Sequence, residues 1–245
     1  MKLKVVNTGS VGNCYILESE KESLVIECGV KFEQIKQALD FNLSKVAGVL
    51  VTHEHGDHAK AIKDVVLAGL NVYCSYGTAV AMGVNSHRIK PMVKMTDYTI
   101  GGFKVRGFDV EHDVKEPFGF LIHHNECGNV LFLTDSFMCR YKFKDLNNII
   151  IEANYCKNIV RRRLLEKGIH EAVRDRVIES HMSIDTCIEL LKANDLTAVN
   201  NIVLIHLSDG NSNEIEFKQR VENATGKNVH VANKGKEFDF NRTPF

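Results

Sequence analysis

Short runs of β-branched and other apolar residues recur along the chain and predict β-strands. The runs are too short for typical helices, and several are rich in the valine and isoleucine that favour strands. The predicted strands cover residues 3–6, 14–17, 23–27, 46–51, 71–74, 103–110, 118–124, 130–134, 148–152 and 201–206. The segment NECGN at 125–129 separates two of these runs and is typical of a hairpin turn.

Apolar positions three and four residues apart predict helices between these strands. The predicted helices cover residues 31–39, 59–68, 156–180, 184–194 and 213–223. No repeat or linker rich in proline and glycine divides the sequence, which has three prolines and 17 glycines. The pattern therefore predicts a single α/β domain over residues 1–245, with an inner pair of sheets and outer helices.

The composition is that of an ordinary globular protein, with 245 residues, of which 44% are hydrophobic and 25% charged. No apolar run approaches the roughly 20 residues that span a bilayer, and no signal-peptide pattern follows Met1. We therefore expect a soluble, cytoplasmic protein with no membrane partner. The seven cysteines are scattered without a C-x-x-C pair, which argues against a disulfide framework and against a thiolate zinc site.

The charge balance bears on the size of the substrate. The 31 basic residues equal the 31 acidic residues, so the formal net charge is zero. A surface that follows a long polyanion by releasing its counterions is normally basic. Zero net charge therefore favours a small ligand over a long nucleic acid.

The segment THEHGDH at residues 52–58 is dense in metal-binding side chains. It follows a predicted buried strand and precedes a predicted helix. A loop at the carboxyl end of a strand is a common position for an active site. The alternative, a solvated polar loop without a ligand, is disfavoured because so many imidazoles in seven residues are rare without metal.

The spacing within this segment predicts two adjacent metal sites. His53 and His55 are two residues apart and can share one face of an extended loop. Asp57 and His58 follow Gly56, which we expect to let the backbone turn tightly.

Residues 53–58, HEHGDH, resemble the H-x-H-x-D-H signature of the metallo-β-lactamase superfamily. Other segments are similar, in the same order, to a subgroup that includes ribonuclease Z, small bacterial exonucleases, and phage phosphodiesterases that degrade cyclic nucleotide signals of bacterial defence. These segments are NTGSVGNCYIL (7–17), LVIECG (24–29), VEHD (110–113), LFLTDS (131–136), IIIEANY (149–155), SHMS (180–183) and LIHLS (204–208). The resemblance covers nearly the whole chain and implies a four-layer αββα sandwich with a two-metal cleft at one sheet edge.

The resemblance implies two divalent metal ions bound by imidazoles and carboxylates. The implied ligands are His53, His55, Asp57, His58, His112, Asp135 and His206. The first two of these and His112 hold one ion, Asp57, His58 and His206 hold the other, and Asp135 bridges them. Zinc suits this donor mixture, and manganese is the alternative. Without metal, His112 would be a surface histidine and His206 a core histidine bonded to backbone.

Two residues are implied to act in catalysis, Asp57 and His181. Asp57 would orient or deprotonate the attacking water while binding metal. His181 in SHMS matches a histidine of ribonuclease Z relatives that binds no metal and faces the scissile phosphate. The presence of both SHMS and LIHLS favours phosphodiester over thioester hydrolysis. The alternative for His181 is a helix flank with Ser183 as N-cap.

Further residues are weaker candidates. Glu152 ends an apolar strand, and both orientation of His181 and a plain structural role are open. Ser10 and Asn13 lie in a loop that the resemblance places beside the metals, although a simple strand connection is as good an interpretation. The basic run 161–163 is more typical of a solvated helix face than of a phosphate site.

These residues together predict a metal-dependent hydrolase that cleaves a phosphodiester bond in a nucleotide. Long-chain nucleases of this fold usually carry an inserted domain or arm, and no such block is visible here. With zero net charge, this favours a small cyclic nucleotide of a defence signal as substrate. A DNA or RNA nuclease is the alternative, and a metal-binding module without turnover is a third hypothesis. Relatives often dimerise, so a homodimer is expected.

Overall fold

The computed structural model describes residues 1–167 and 178–243. Its strands are β1 (Lys2–Asn7), β2 (Cys14–Glu18), β3 (Ser23–Ile26), β4 (Val46–Leu50), β5 (Val72–Ser75), β6 (Ile89–Met92), β7 (Asp97–Ile100), β8 (Phe103–Asp109), β9 (Phe118–His124), β10 (Gly128–Leu133), β11 (Leu146–Glu152), β12 (Asn201–Ile205), β13 (Asn228–Val231) and β14 (Glu237–Asp239). They form two seven-stranded sheets. The first sheet has the order β14-β1-β2-β3-β4-β5-β6, and the second has the order β13-β12-β11-β10-β9-β8-β7.

Helices connect and cover the strands. They are α1 (Phe32–Ala38), α2 (Gly56–Ala59), α3 (Ile62–Leu67), α4 (Tyr76–Met82), α5 (Lys157–Lys167), α6 (Ile184–Ala193) and α7 (Glu214–Thr225), with a 3₁₀ turn at Leu43–Lys45. Helix α6 begins after Ser183, whose hydroxyl accepts a hydrogen bond from the Thr186 amide, and α7 begins after Asn213, which caps it in the same way. No helix in the described ranges has both the length and the apolar character that crossing a bilayer requires.

The two sheets pack face to face over an apolar layer. Leu17 and Ile26 of the first sheet and Phe120 and Phe132 of the second sheet are fully buried in this layer. In each strand the side chains alternate between this inner layer and an outer one, as the period of a strand requires.

The outer faces of the sheets are covered by helices. Ile35 of α1 and Val65 of α3 are buried against the first sheet, and Leu191 of α6 and Phe217 of α7 are buried against the second. The layers therefore run helix, sheet, sheet, helix, which confirms the expected αββα sandwich.

Parallel strands at the centre of each sheet determine where the functional loops lie. Strands β3, β4, β5 and β6 are parallel neighbours in the first sheet, and β10, β11, β12 and β13 are parallel neighbours in the second. The carboxyl ends of parallel strands meet at one edge of a sheet, where ligand sites usually lie. The loops after β4, β10 and β12 therefore open at the edges that hold the predicted ligands.

All ten predicted strands are present, and so is the predicted hairpin, in which His124 of β9 pairs with Gly128 of β10. Strands β6, β7, β13 and β14 were not predicted. All four are short, and β7, β13 and β14 are largely polar and lie toward sheet edges, where only one face needs apolar side chains.

The helix predictions need two corrections. Residues 59–68 do not form one helix, because the chain folds as α2 and α3 with a break between them. Helix α4 was missed because its mixed sequence YGTAVAM lacks an apolar stripe. Of the helix predicted at 156–180, α5 forms the first part, and residues 168–177 lie outside the described residues.

Candidate metal centre and active site

The loop after β4 carries the first four predicted ligands. His53 and His55 lie in its extended part, and Asp57 and His58 lie in the short helix α2 that follows. The amide of His58 donates to the carbonyl of His55, which closes the first turn of α2. The expected tight turn at Gly56 is wrong, because Gly56 is the first residue of α2 and its φ is not positive.

Four more polar side chains enter the same site at the ends of strands of the second sheet. His112 follows β8, Asp135 follows β10, Glu152 ends β11, and His206 follows β12. Asp135 and His206 have positive φ angles of 42° and 53°. This left-handed conformation is uncommon for residues with side chains and often marks functional sites. The strained backbone turns both side chains out of their strands into the site.

A first donor cluster consists of His53, His55, His112 and Asp135, whose ligand atoms all lie within 4.8 Å of one another. Nδ1 of His55 lies 3.0 Å from Nε2 of His53 and 3.3 Å from Nε2 of His112. Oδ2 of Asp135 is 3.8 Å from the Nε2 atoms of His53 and His112. One nitrogen from each of three imidazoles thus converges with a carboxylate oxygen.

A second donor cluster consists of Asp57, His58, Asp135 and His206, again with ligand atoms within 4.8 Å of one another. Oδ2 of Asp57 lies 3.5 Å from Nε2 of His58 and 3.6 Å from Nε2 of His206. Oδ2 of Asp135 completes the cluster at 3.3 Å from Nε2 of His58, and Oδ1 of Asp135 lies 3.2 Å from the other ring nitrogen of His206, Nδ1. Asp135 therefore belongs to both clusters, in the position expected for a bridging carboxylate.

The chemistry of these donors fits metal ions. Nε2 of His206 is buried and has no hydrogen-bond partner within residues 1–167 and 178–243, and an unsatisfied buried imidazole nitrogen is costly unless a ligand is bound there. Burial, with the charge of nearby His58, holds the pKa of His53 well below its usual value, so this imidazole is neutral. Neutral imidazole is the form that binds metal.

The carboxylates carry the charge that metal ions would balance. Burial alone would raise the pKa of Asp57, but the imidazoles of His206 and His58 close to its carboxylate lower it below its ordinary value. Burial would lower the pKa of His206, yet the charge of Asp135 raises it to about 10. The isolated chain thus neutralises its carboxylates with protons on imidazoles, and metal binding displaces such protons.

His181 is held beside both clusters by Glu152. Nδ1 of His181 donates to Oε1 of Glu152 at 2.7 Å, and Oε2 of Glu152 accepts from the amides of Ser136 and Met182. Burial would lower the pKa of His181, but the charge of Glu152 raises it above its usual value. Of the two interpretations of Glu152 that the sequence left open, the geometry favours orientation of His181. Ser183 also caps α6, so the N-cap that was expected as the alternative interpretation of the SHMS segment is present as well.

The loop between β1 and β2 contributes Asn13 and Ser10. Asn13 is buried, and its Nδ2 lies 3.2 Å from Nε2 of His58 and donates to the carbonyl of Asp57 at 3.3 Å. Ser10 is exposed and lines the cleft. Both residues lie beside the donor clusters, so this loop is more than a strand connection.

Two supporting residues were not among the candidates from sequence. The fully buried Glu27 accepts from the Thr52 amide through Oε1, and its Oε2 lies 3.5 Å from Nδ1 of His58. Asn154 donates to the carbonyl of His206 at 2.8 Å. Both residues follow apolar strands. A polar residue just after such a strand could have suggested from the sequence that each has a role near the site.

Gly29 lies against the backbone of α2, so a side chain there would displace the metal-binding loop. A Cβ at Gly29 would lie 1.7 Å from the carbonyl oxygen of Asp57. We expect Gly29→Ala to lower the free energy of unfolding by about 1–3 kcal/mol and to weaken metal binding. Gly56→Ala is the matched control, because a Cβ there meets no atom of the described residues within 4 Å. Chemical denaturation and metal titration of both variants test this, and equal effects would contradict it.

The clusters and His181 line one cleft of about 440 Å³. Its walls are formed by Ser10, His55, Gly56, Asp57, His112, Asp113, Asp135, Asn154, Ser180, His181, His206, Leu207 and Ser208. All of the catalytic residues and ligands predicted from the sequence therefore lie in or directly behind this cleft.

Comparison with known proteins gives consistent results. The model of the metallo-beta-lactamase superfamily matches residues 7–136. Exodeoxyribonuclease YycJ of Bacillus anthracis is 28% identical over 179 residues, which is 66% of this chain and 66% of that protein, so the match spans just under two thirds of its length. Anti-Pycsar protein Apyc1 of Bacillus phage 010DV004 is 35% identical over 74 residues, 27% of this chain and 29% of that protein. The crystal structure of the metallo-beta-lactamase fold protein YhfI from Bacillus subtilis superposes with a TM-score of 0.72 at 15% identity, covering 97% and 99% of the two chains.

Proposed function

The chain belongs to the metallo-beta-lactamase superfamily, as its motifs indicated, and from this premise we propose that it is a metal-dependent hydrolase of a phosphodiester bond in a nucleotide. The observation that carries the proposal is the placement of His181, held by Glu152, beside two donor clusters that share Asp135. A histidine that is fixed by a carboxylate at a polynuclear metal site suits proton transfer to a leaving oxygen.

The donor set supports two divalent ions, with zinc as the first choice and manganese as the alternative. His53, His55 and His112 would hold one ion, Asp57, His58 and His206 the other, and Asp135 would bridge them. Mixed imidazole and carboxylate ligation suits zinc. Divalent ions bound there would supply Lewis-acid activation of a phosphoryl oxygen and of a water molecule.

The side chains of the cleft have separable roles in this proposal. Asp57 is 26% exposed and lies between His58 and His206, so its carboxylate can orient the attacking water. His181 is 19% exposed, and its Nδ1 is bound by Glu152. Nε2 of His181 is therefore the ring nitrogen left to give a proton to the departing oxygen.

Two substrates are candidates. A small cyclic nucleotide is supported by the zero net charge of the chain and by the partial similarity to an anti-Pycsar protein. DNA is supported by the longer match to an exodeoxyribonuclease. We propose further that the protein acts in the cytoplasm as a homodimer, on the strength of the resemblance described above.

A substrate screen tests the proposal. Protein loaded with Zn²⁺ or Mn²⁺ is assayed against bis(4-nitrophenyl) phosphate, 3′,5′-cyclic mononucleotides, cyclic dinucleotides, double-stranded DNA and tRNA precursors. Turnover of at least one phosphodiester, and its loss on chelation, is expected. Metal binding without turnover of any of them would favour a non-catalytic metal-binding module.

Glu152→Gln is expected to lower kcat by about 10- to 100-fold with little change in KM. Glutamine has one acceptor oxygen, so it cannot both accept from His181 and accept from the amides of Ser136 and Met182 as Glu152 does. Steady-state kinetics on bis(4-nitrophenyl) phosphate measure the effect, with the exposed Glu20→Gln as control. A variant that is less stable but retains full kcat would show that Glu152 has only a structural role.

A further inference from the structure

A second concave surface is lined in part by the loop that also lines the metal cleft. This surface, the arginine groove, has a volume of about 590 Å³. It is lined by Ile159, Arg162, Arg163, Asp209, Gly210, Ser212 and Asn213. The first three belong to α5, and the rest belong to the loop that precedes α7.

The groove and the cleft share one loop. Leu207 and Ser208 line the metal cleft, and the next two residues, Asp209 and Gly210, line the arginine groove. The loop starts directly after His206, a proposed metal ligand. A substrate with its reacting phosphate in the cleft can therefore extend over this loop into the groove.

The lining of the groove carries two arginines and one aspartate, so its charge is positive. Among the side chains that the structure describes, which in α5 end at Leu165, neither Arg162 nor Arg163 forms an ion pair with a carboxylate. Arg163 donates from Nη1 to Oδ1 of Asn211 at 2.8 Å, which positions its guanidinium. Arg162 is exposed. Asp209, in the loop that forms the other wall, is the one carboxylate among these lining residues, so the two guanidinium groups outweigh it and the groove attracts an anion.

The run 161–163 lies on an exposed helix face, as its sequence suggests, and part of that face also lines the groove. Arg161 is exposed and does not line the groove, whereas Arg162 and Arg163 both do. Guanidinium groups bind phosphate through paired hydrogen bonds, which gives direction as well as charge.

We propose that the arginine groove binds a second phosphate of the substrate, next along the chain from the phosphate held in the metal cleft. The inference rests on the proposed phosphodiesterase function and narrows its substrate. The substrate class is a nucleotide with at least two phosphodiester groups, either a linear oligonucleotide or a cyclic dinucleotide. A cyclic mononucleotide has one phosphate and leaves the groove unused.

The test compares substrates with one and with two phosphodiester groups. Wild-type protein, Arg162→Ala and Arg161→Ala are assayed with bis(4-nitrophenyl) phosphate, a thymidine trinucleotide and a cyclic dinucleotide. Arg162→Ala is expected to raise KM for a substrate with two phosphodiesters by about 10- to 100-fold. Its activity on bis(4-nitrophenyl) phosphate should stay within about twofold, because the loss of one guanidinium affects the remote phosphate alone. Arg161→Ala should match wild type throughout.

Gly210→Ala perturbs the groove from its opposite wall. A Cβ at Gly210 would lie 2.0 Å from Nη1 of Arg163, so the flexible arginine must move away. The variant should reproduce the rise in KM for the trinucleotide or the cyclic dinucleotide. Whichever of these two substrates shows the rise identifies the source of the second phosphate.

The outcomes separate the subsite from the catalytic proposal. Equal KM values for wild type, Arg162→Ala and Gly210→Ala on both longer substrates, with bis(4-nitrophenyl) phosphate still cleaved, would overturn the groove and leave the phosphodiesterase proposal standing. If wild type cleaves no substrate, binding of a fluorescent trinucleotide decides. Weaker binding by Arg162→Ala supports the groove, and unchanged binding overturns it.

Discussion

Replacing His181 with alanine is expected to lower kcat for a phosphodiester substrate by about two to four orders of magnitude, with bound metal unchanged. The imidazole lines the cleft, and Glu152 fixes its orientation. Loss of the ring removes the proposed proton donor but none of the proposed ligands. Kinetics on bis(4-nitrophenyl) phosphate and elemental analysis of the purified variant measure the two quantities.

The control for this variant is His87→Ala, which removes an exposed histidine outside the cleft. It should leave both quantities unchanged. The metal content also tests whether His181 is itself a metal ligand. Asp135, Glu152, His181 and His206 form a third group whose donor atoms lie within 4.8 Å of one another. If His181→Ala lost metal along with activity, His181 would be a ligand and its proposed role would be wrong.

Asp135→Ala is expected to abolish turnover and to reduce the metal content of both clusters. Its carboxylate lies 3.2 Å from His206 and 3.3 Å from His58, and Oδ2 also faces the first cluster. Removing one partner from a buried ionic cluster typically costs about 3–5 kcal/mol. We therefore also expect the metal-free variant to unfold at lower denaturant concentration.

Elemental analysis, activity on bis(4-nitrophenyl) phosphate and urea denaturation of the metal-free protein measure these effects. Asp64→Ala, which removes an exposed carboxylate of α3, is the control and should match wild type. An Asp135→Ala variant that kept the metal content of wild type would show that the two clusters are not joined as proposed.

The motif at 52–58 could be interpreted from sequence because its ligands are local. Imidazoles two residues apart after a buried strand need no tertiary information to suggest a metal. His112, Asp135 and His206 are different, since each is one isolated candidate ligand in a segment that follows a strand. Only the resemblance could assign them, because their proximity depends on the order of strands in the second sheet.

Some features of the site depend on backbone conformation that no pattern reveals. Glu27, Asp135 and His206 all have positive φ angles. From sequence alone, this conformation would be expected at glycine or asparagine instead. Glu27 contacts His58 only because β3 and β4 are parallel neighbours. The expected turn at Gly56 shows the opposite error, because a glycine in a motif suggested a tight turn and the chain forms an ordinary helix start there.

The apolar pattern predicted the strands that are buried on both faces. It did not predict the edge strands β7, with the sequence DYTI, and β14, with the sequence EFD, because pairing with a neighbouring strand holds them in place. Strand pairing of this kind is a tertiary effect, and local preference is a poor guide to it.

Each donor cluster takes side chains from both sheets, with the loop after β4 on one side and the strand ends of the second sheet on the other. A ligand that binds only the folded state raises the free energy of unfolding, by about 4 kcal/mol when its concentration is a thousand times Kd. A change of that size alters how often a protein is exposed to proteases and how long it survives in a cell. Metal supply would then regulate the amount of this protein as well as its activity. Without metal, the less stable chain would be degraded by proteases and not only be inactive.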